Sequence, residues 1–276
     1  QTRGTDSVVL LADAQGMLLD AIGDTDFSQR AARVALRPGA IWHEQWRGTN
    51  AIGTCLAEEQ ALVIHGDEHY LDRNGFLTCA ASPIVDADHP DIRNVARELA
   101  AGTDADGDAG NAPLAVAQRC FEFVRDQIRH SWDYRNDADN PLTCTASDVL
   151  RHRTGYCYAK SHLLAALLRA NGVPTGLCYQ RLSVGDTGAP YCLHGLNAVW
   201  LDGIGWYRID ARGNKPGVAA DFCPPREVLA FPVQEHHARD LPEIWAEPLP
   251  VVTAALERHS DVAELYANLP DVPLID

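Results

Sequence analysis

Three residues in the second half of the chain have types and settings that suit a nucleophilic site. Cys157 lies in GYCYAKSHLLAALLRANGVP, His194 in LHGLNAVWL and Asp210 in GWYRIDARG. Such a set could supply a thiol nucleophile, an imidazole that moves its proton and a carboxylate that orients the imidazole. A chain with 8 cysteines and 11 histidines can contain these residues by coincidence, but their settings together favour a cysteine-nucleophile enzyme.

The setting of Cys157 predicts the start of a helix. Residues 157–170 carry leucines at the spacing of a mostly buried helix, and Asn171-Gly172 before Pro174 is typical of a helix end. A cysteine at a helix N-terminus faces the positive end of the helix dipole and free backbone N–H groups, which stabilise a thiolate and can hold a developing oxyanion. This chemistry leads us to expect that Cys157 is partly exposed.

His194 and Asp210 are predicted to lie at the outer ends of one hairpin. The runs LNAVWL and GWYRID alternate in polarity on either side of residues 202–205, whose sequence DGIG is typical of a hairpin turn. A ladder centred near Gly203 would bring the two side chains close together. A shift of one residue in register would turn one of them to the other face of the sheet.

These three settings resemble the transglutaminase-like superfamily, a papain-like α+β fold that includes transglutaminases, bacterial cysteine peptidases and amidases. The resemblance covers residues 113–276 and rests on TASDVLRHRTGYCYAKSHLLAALLRANGVPTGLCY, HGLNAVWL and WYRIDARG. It implies that Cys157 is the nucleophile, His194 the general base and acid, and Asp210 the orienting carboxylate.

Two aromatic residues that precede the Cys157 helix are candidates for the oxyanion hole. By the resemblance, the backbone N–H of Cys157 is one donor, and the family commonly adds a polar aromatic side chain from the preceding segment. Trp132 and Tyr134, in IRHSWDYR, are therefore the candidates. Ordinary aromatic packing is an equal alternative for both.

The resemblance also implies an activity and a class of substrate. Such an enzyme attacks an amide or ester carbonyl of a protein, a peptide or a small amide, and passes the acyl group to water or to an amine, without a cofactor or a metal. Hydrolysis is favoured over crosslinking. The chain itself offers only Lys160 and Lys215 as amine donors for self-crosslinking, although genomic base composition explains this scarcity equally well. The alternative is a catalytically inactive module that binds a small molecule or recognises peptides.

The first third of the chain resembles a different family. SVVLLADAQGMLLDAIGD predicts two short strands around a turn at residues 14–16, followed by a helix near residues 27–36. Residues 5–86 resemble the GAF sensory domain of enhancer-binding activators of the acetoin-catabolism type. The resemblance also rests on the stretch that follows, WHEQWRGTNAIGTCLAEEQALVIHGDEHYLDRNGFLTCAASPIVD. The leading helix and the closing strands of such a domain are missing, so we expect a partial GAF-like α/β segment over residues 1–92.

The resemblance to activators does not extend to their other machinery. Those proteins carry an ATPase with a G-x-x-x-x-G-K-[ST] phosphate-binding loop and a DNA-binding helix-turn-helix, and the chain has no such loop. Transcriptional activation by this chain is therefore disfavoured. A fusion of two functionally unrelated parts is a further possibility that one sequence leaves open.

Residues 93–112 are predicted to link the GAF-like segment to the transglutaminase-like domain, because the stretch at positions 100–113 is rich in Ala, Gly and Asp and lacks apolar periodicity. Asp104, Asp106 and Asp108 have the spacing of a calcium loop. The glycine and the glutamate that such a loop needs at its sixth and twelfth positions are absent. We therefore exclude calcium binding by this segment.

Two further patterns in the N-terminal segment are better explained by structure than by ligand binding. His65, Glu68 and His69 in HGDEH are expected to stabilise a loop, since no further metal ligands are evident. Trp42 and Trp46 lie four residues apart in WHEQW. We expect both to pack against the sheet rather than to line a cofactor pocket.

The composition is that of a globular chain. It has 276 residues, 46% of them hydrophobic, and a net charge of −15 that opposes binding to phosphate backbones, so nucleic acid is not an expected partner. No apolar run of about eighteen residues and no signal-peptide pattern occurs, so we expect no membrane insertion and a cytoplasmic location. The eight cysteines form no C-x-x-C pair and are expected to be reduced thiols. The oligomeric state is left open.

Overall fold

The computed structural model describes residues 6–13, 15–58, 61–101, 112–185, 188–233 and 238–272. The chain divides into two compact units, Gln1–Asp86 and Ala87–Asp276, and both combine helices with strands, which confirms the predicted mixed class. The aspartates of the excluded calcium loop, at positions 104, 106 and 108, lie outside the described residues. None of the helices within these ranges is long and apolar enough to cross a membrane.

The N-terminal unit contains two antiparallel pairs of strands, β1 with β2 and β3 with β4. Its strands are β1 (Val8–Ala12), β2 (Leu18–Gly23), β3 (Leu62–His65) and β4 (Thr78–Ala81). Its helices are α1 (Thr25–Arg33), α2 (Glu44–Arg47) and α3 (Ala51–Glu58). The predicted order of two short strands followed by a helix is confirmed. The Asp24 side chain begins α1 by accepting hydrogen bonds from two backbone N–H groups of its first turn.

Trp42 anchors the core of the N-terminal unit. Its buried indole belongs to a cluster with Leu18 and Leu77. Nε1 of the indole donates to the carbonyl oxygen of Ala35 at 2.9 Å. The prediction that Trp46 also packs is wrong, because this side chain is 71% exposed. It lies on α2, which is only four residues long and buries none of its residues.

The C-terminal unit surrounds one central helix with other helices and a four-stranded sheet. Its helices are α4 (Pro90–Ala100), α5 (Ala112–Gln127), α6 (Ala146–His152), α7 (Cys157–Ala170), α8 (Pro250–Arg258) and α9 (Val262–Ala267). Its strands are β5 (Arg129–His130), β6 (Thr154–Gly155), β7 (Thr175–Gly185), β8 (Gly188–Leu201), β9 (Gly205–Ile209), β10 (Asp221–Cys223), β11 (Arg226–Val228) and β12 (Arg239–Asp240). The main sheet has the order β12-β7-β8-β9, with antiparallel neighbours throughout.

α7 is the central helix of this unit, and it spans the residues predicted from the sequence. All of its residues from Cys157 to Leu168 are buried, since α4, α5, α6, β7 and β8 pack against it. The helix ends where Gly172 adopts a φ of 73°, which favours glycine. α4 covers the first part of the segment assigned to a linker, and Asn171 Nδ2 donates to the carbonyl oxygen of Ala96 in α4 at 3.0 Å.

β8 and β9 form the predicted hairpin. Leu201 pairs with Gly205, so the ladder is centred on Gly203, whose φ of 77° is accessible to glycine at little cost. β9 pairs with β8 only as far as Asn197. The part of β8 that carries His194 therefore extends beyond the end of β9.

Candidate active site

His194 and Asp210 form a buried pair at the open end of the hairpin. His194 Nε2 donates to Asp210 Oδ2 at 2.8 Å, and the two residues are 4% and 1% exposed. If the β8–β9 register is continued by one residue, Asp210 lies opposite Leu196, which is two residues from His194 on the same strand. Diagonal neighbours at this spacing are within reach of each other. The predicted proximity of the two side chains is confirmed.

The Asp210 carboxylate receives hydrogen bonds from three groups. Besides His194, the backbone N–H of Arg212 donates to Oδ1 at 3.1 Å and the backbone N–H of Ala230 donates to Oδ2 at 3.0 Å. Burial raises the pKa of Asp210, but the positive charge of His194 and these hydrogen bonds outweigh burial and lower it. A carboxylate fixed in this way can hold an imidazole in one tautomer and one orientation.

Cys157 is the second partner of the imidazole. The His194 side chain hydrogen-bonds to Cys157 as well as to Asp210, and because Nε2 faces the carboxylate, Nδ1 remains for the thiol. Burial lowers the pKa of His194, but the negative charges of Asp210 and Cys157 and the hydrogen bonds to both raise it to about 10. The imidazolium form is therefore favoured at neutral pH, and an adjacent imidazolium stabilises a thiolate.

The first turn of α7 provides backbone donors next to the thiol. α7 begins at Cys157, and the preceding Tyr156 makes no side-chain cap, so N–H groups of the first turn can stabilise an oxyanion. β8 approaches this turn closely because Gly195 has no side chain: a Cβ at that position would lie 3.1 Å from the Cα of Tyr158. The expectation that Cys157 is partly exposed is wrong, since only 4% of the residue is accessible.

An ion pair between Arg212 and Asp133 fixes the chain two residues after Asp210. Arg212 donates to both carboxylate oxygens of Asp133, at 2.5 and 2.9 Å, and the Arg212 side chain is almost completely buried. Lys215 also donates to Asp133, at 2.6 Å. Sequence reasoning missed this group, because no local pattern links positions 79 or 82 residues apart.

Lys160 is a buried lysine one helical turn after Cys157. Its Nζ donates to the carbonyl oxygen of Ile128. Burial and the charge of Arg212 lower its pKa to about 7, although the nearby carboxylates act in the opposite direction. The chain has only two lysines, and the position of this one in a helix predicted to be mostly buried was a signal that could have marked it.

Phe231 and Gln180 enclose His194. The Phe231 ring meets the imidazole edge to face, with ring centroids 4.9 Å apart at 87°. Gln180 lies opposite His194 on β7, and its Nε2 donates to the Phe231 carbonyl oxygen at 3.0 Å. Together with the hydrogen bond from Ala230 to Asp210, these contacts shield the pair from water, which strengthens its electrostatic interaction.

The two candidates for the oxyanion hole lie in different settings. Trp132 stacks on Tyr266, with ring centroids 3.6 Å apart and planes 9° from parallel. Tyr134 is exposed, and the guanidinium of Arg129 lies 5.3 Å from its ring centroid. Neither contact involves Cys157, so a role in the oxyanion hole stays a prediction for both.

The histidines of the N-terminal unit make loop contacts. Glu68 Oε2 accepts the backbone N–H of His65 at 2.7 Å, and His69 Nδ1 bonds to the carbonyl oxygen of Gly66 at 2.8 Å. These bonds agree with a role in stabilising the loop. The part of the chain that the structure describes contains no group of three side chains placed to hold a metal ion.

Family models match both parts of the chain. Residues 97–211 match the transglutaminase-like superfamily, and residues 3–107 match the N-terminal domain of MimR. The first match includes Cys157, His194 and Asp210. The two resemblances recognised in the sequence, to the transglutaminase-like superfamily and to a segment of acetoin-catabolism-type activators, are confirmed.

The curated relatives resemble the N-terminal part. The acetoin catabolism regulatory protein of Cupriavidus necator is 42% identical over 86 residues, which are 31% of this chain and 13% of the relative. The propane 2-monooxygenase operon transcriptional activator MimR of Mycolicibacterium goodii is 44% identical over 77 residues, 28% of this chain and 13% of the relative. The matched region is thus a small part of either relative's length. Among solved structures, red sea bream transglutaminase is 12% identical, with a TM-score of 0.36 over 55% of this chain and 30% of that chain.

Proposed function

We propose, from the premise that residues 97–211 match the transglutaminase-like superfamily, that the chain is a cysteine enzyme that cleaves an amide or ester bond. Cys157 acts as nucleophile, His194 as general base and acid, and Asp210 as the orienting carboxylate. The observation that carries this proposal is the position of the His194 imidazole, which hydrogen-bonds to Cys157 and to the buried carboxylate of Asp210.

The first half of the reaction forms an acyl-enzyme. His194 Nδ1 takes the thiol proton, and the Cys157 thiolate attacks the carbonyl carbon to form a C–S bond and an oxyanion. Backbone N–H groups at the start of α7 stabilise that oxyanion. The tetrahedral intermediate then collapses as the imidazolium gives its proton to the leaving amine or alcohol, which leaves a thioester on Cys157.

The second half transfers the acyl group to an acceptor. His194 removes a proton from water or an amine as it attacks the thioester, and the thiolate leaves as the C–S bond breaks. Hydrolysis is the proposed outcome. In support, Lys160 is buried and Lys215 is bound to Asp133, so the two lysines of the chain are poor acceptors for self-crosslinking. The substrate class is a protein, a peptide or a small amide.

Trapping of the acyl-enzyme tests this proposal. Incubation with p-nitrophenyl acetate should place one acetyl group on Cys157, detected by peptide mass spectrometry, and acetate should then be released. Methylamine added in increasing amounts distinguishes the acceptors: hydrolysis predicts an unchanged rate of deacylation, whereas amine transfer predicts N-methylacetamide and faster deacylation. Absence of acetyl on Cys157, or equal acetylation of the partly exposed Cys223, would contradict the proposed role.

The second candidate function is a catalytically inactive sensory or peptide-binding module. Two observations favour it: the N-terminal part matches the N-terminal domain of a transcriptional activator, and Cys157 is buried. This alternative predicts that Cys157 reacts with alkylating reagents no faster than Cys223 and that the reaction does not depend on His194.

A further inference from the structure

The half of β8 next to Cys157 has an open edge. β7 pairs along one side of β8, but β9 pairs only with Asn197–Leu201 on the other side. In the described ranges, no strand continues along that side toward His194. Backbone N–H and C=O groups on such an edge can pair with an added extended segment.

The C-terminal segment of the chain already uses this edge. The backbone N–H of Leu193 donates to the carbonyl oxygen of Pro270 at 2.8 Å. The carbonyl oxygen of the same Leu193 accepts a hydrogen bond from the Tyr158 hydroxyl, and Tyr158 directly follows Cys157 on α7. Leu193 also directly precedes His194. Pro270 therefore bonds to a residue that directly precedes His194 and that also accepts a hydrogen bond from the neighbour of Cys157.

Two side chains fix the ends of this segment, which we define as Tyr266–Val272. Its first residue stacks face to face on Trp132. Near its other end, Asp271 accepts two hydrogen bonds from the guanidinium of Arg181, from Nε at 2.6 Å and from Nη2 at 2.7 Å. Such a two-point contact between a guanidinium and a carboxylate is directional and selects for an acidic group.

Asp271 of this segment also acts on Cys192, a thiol close to His194 in the sequence. Cys192 lies two residues before His194 on β8. Burial raises its pKa most, and the charges of Cys157 and of Asp271 raise it further. Cys157 and His194 are each only 4% exposed.

We propose that Tyr266–Val272, the end of α9 and the residues that follow it, occupies the substrate groove of this chain, and that the groove takes an acidic peptide. An aromatic side chain of the peptide would stack on Trp132, its backbone would bond to the Leu193 N–H, and an acidic side chain would pair with Arg181. Trp132 and Arg181 are thus specificity residues. This inference rests on the proposed function, since the groove leads to Cys157.

Tethering makes the resident segment a strong competitor. A segment joined to its groove by a short connection acts at an effective concentration on the order of millimolar. A peptide substrate must therefore outcompete the segment, and weakening one of its anchors should increase access to Cys157. The pair formed by Arg181 and Asp271 is the anchor that can be removed without changing the apolar core.

The test measures the rate of iodoacetamide labelling at Cys157 in the full chain, by peptide mass spectrometry. Asp271→Asn and Arg181→Gln should each speed labelling roughly three- to tenfold, as expected for loss of a partly exposed bidentate ion pair. Glu227→Gln is the matched control, because it removes a carboxylate paired with Arg208 on the same sheet and should leave the rate unchanged. Labelling at the wild-type rate in both anchor variants would overturn the proposal.

A synthetic peptide with the sequence of Tyr266–Val272, YANLPDV, tests the substrate class. Added to the Asp271→Asn variant, it should slow labelling of Cys157, and a peptide with asparagine in place of its aspartate should do so less. No protection by either peptide would overturn the peptide-groove assignment. The double variant His194→Ala/Asp271→Asn separates the two proposals. If Asp271→Asn speeds labelling equally with and without His194, the covering segment is supported and the proposed catalytic function fails.

Discussion

Cys157→Ser is expected to lower kcat/KM for an amide or ester substrate by at least roughly 10³-fold, because removal of the nucleophile leaves only binding and oxyanion stabilisation. Serine is nearly isosteric with cysteine, but its hydroxyl is much less acidic, so an imidazolium cannot stabilise the corresponding alkoxide to the same extent. The buried position on α7 should accept the small change in volume, so the thermal unfolding midpoint should change little.

Cys223→Ser provides the matched control for this prediction. Cys223 is partly exposed, and its thiol donates to the Asp221 carboxylate at 3.4 Å, a bond that a serine hydroxyl can replace. The kcat/KM of the Cys223→Ser variant should equal that of the wild type. Undiminished turnover in Cys157→Ser, measured on a preparation free of contaminating hydrolase, would remove Cys157 from the mechanism.

Asp210→Asn is expected to reduce kcat by roughly 10³- to 10⁴-fold and to narrow the pH range of activity. The carboxylate accepts from His194 Nε2 at 2.8 Å, whereas an amide NH₂ group can donate toward the ring and favour the wrong tautomer. The negative charge of Asp210 also opposes the effect of burial on His194 and helps to raise the pKa of His194 to about 10. Without that charge, the pKa of His194 should fall.

The sign of the pH effect follows from the role of the imidazolium. It protonates the leaving group, so activity should be lost as pH rises through the pKa of His194. Asp210→Asn should move this alkaline limb of kcat to lower pH, in addition to reducing the maximum. Asp240→Asn is the control, because this carboxylate bonds to Gln180 and Arg208 and not to His194. An alkaline limb that stays in place in Asp210→Asn would contradict the assigned role.

The elements that carry the candidate residues could be predicted because their signals are local. The leucine spacing and the Asn171-Gly172 end define α7 to the residue, and the turn DGIG centres the β8–β9 ladder on Gly203. Together these patterns place His194 within reach of Asp210. The strand pair and helix at the start of the N-terminal unit follow from equally local signals.

The remaining features depend on contacts between distant parts of the chain. The contacts of Pro270 with Leu193 and of Asp271 with Arg181 join the end of the chain to β8 and β7, and no periodicity in the sequence connects these segments. The pairing of Arg212 with Asp133 joins residues 79 positions apart. The prediction that Trp46 packs against the sheet is wrong, because α2 is too short to present a buried face. Spacing alone cannot show where a short helix meets the core.

The most direct test of the account is the pH dependence of iodoacetamide labelling at Cys157 in the wild type and in His194→Ala. In the wild type, labelling should already be measurable at about pH 6, where an ordinary thiol with a pKa of about 8.5 is almost entirely protonated. In His194→Ala, labelling at that pH should be lost, and the profile should move to higher pH, since the imidazolium that stabilises the thiolate is gone. Identical profiles in the two proteins, with Cys157 reacting no faster than Cys223, would contradict the claim that His194 activates Cys157.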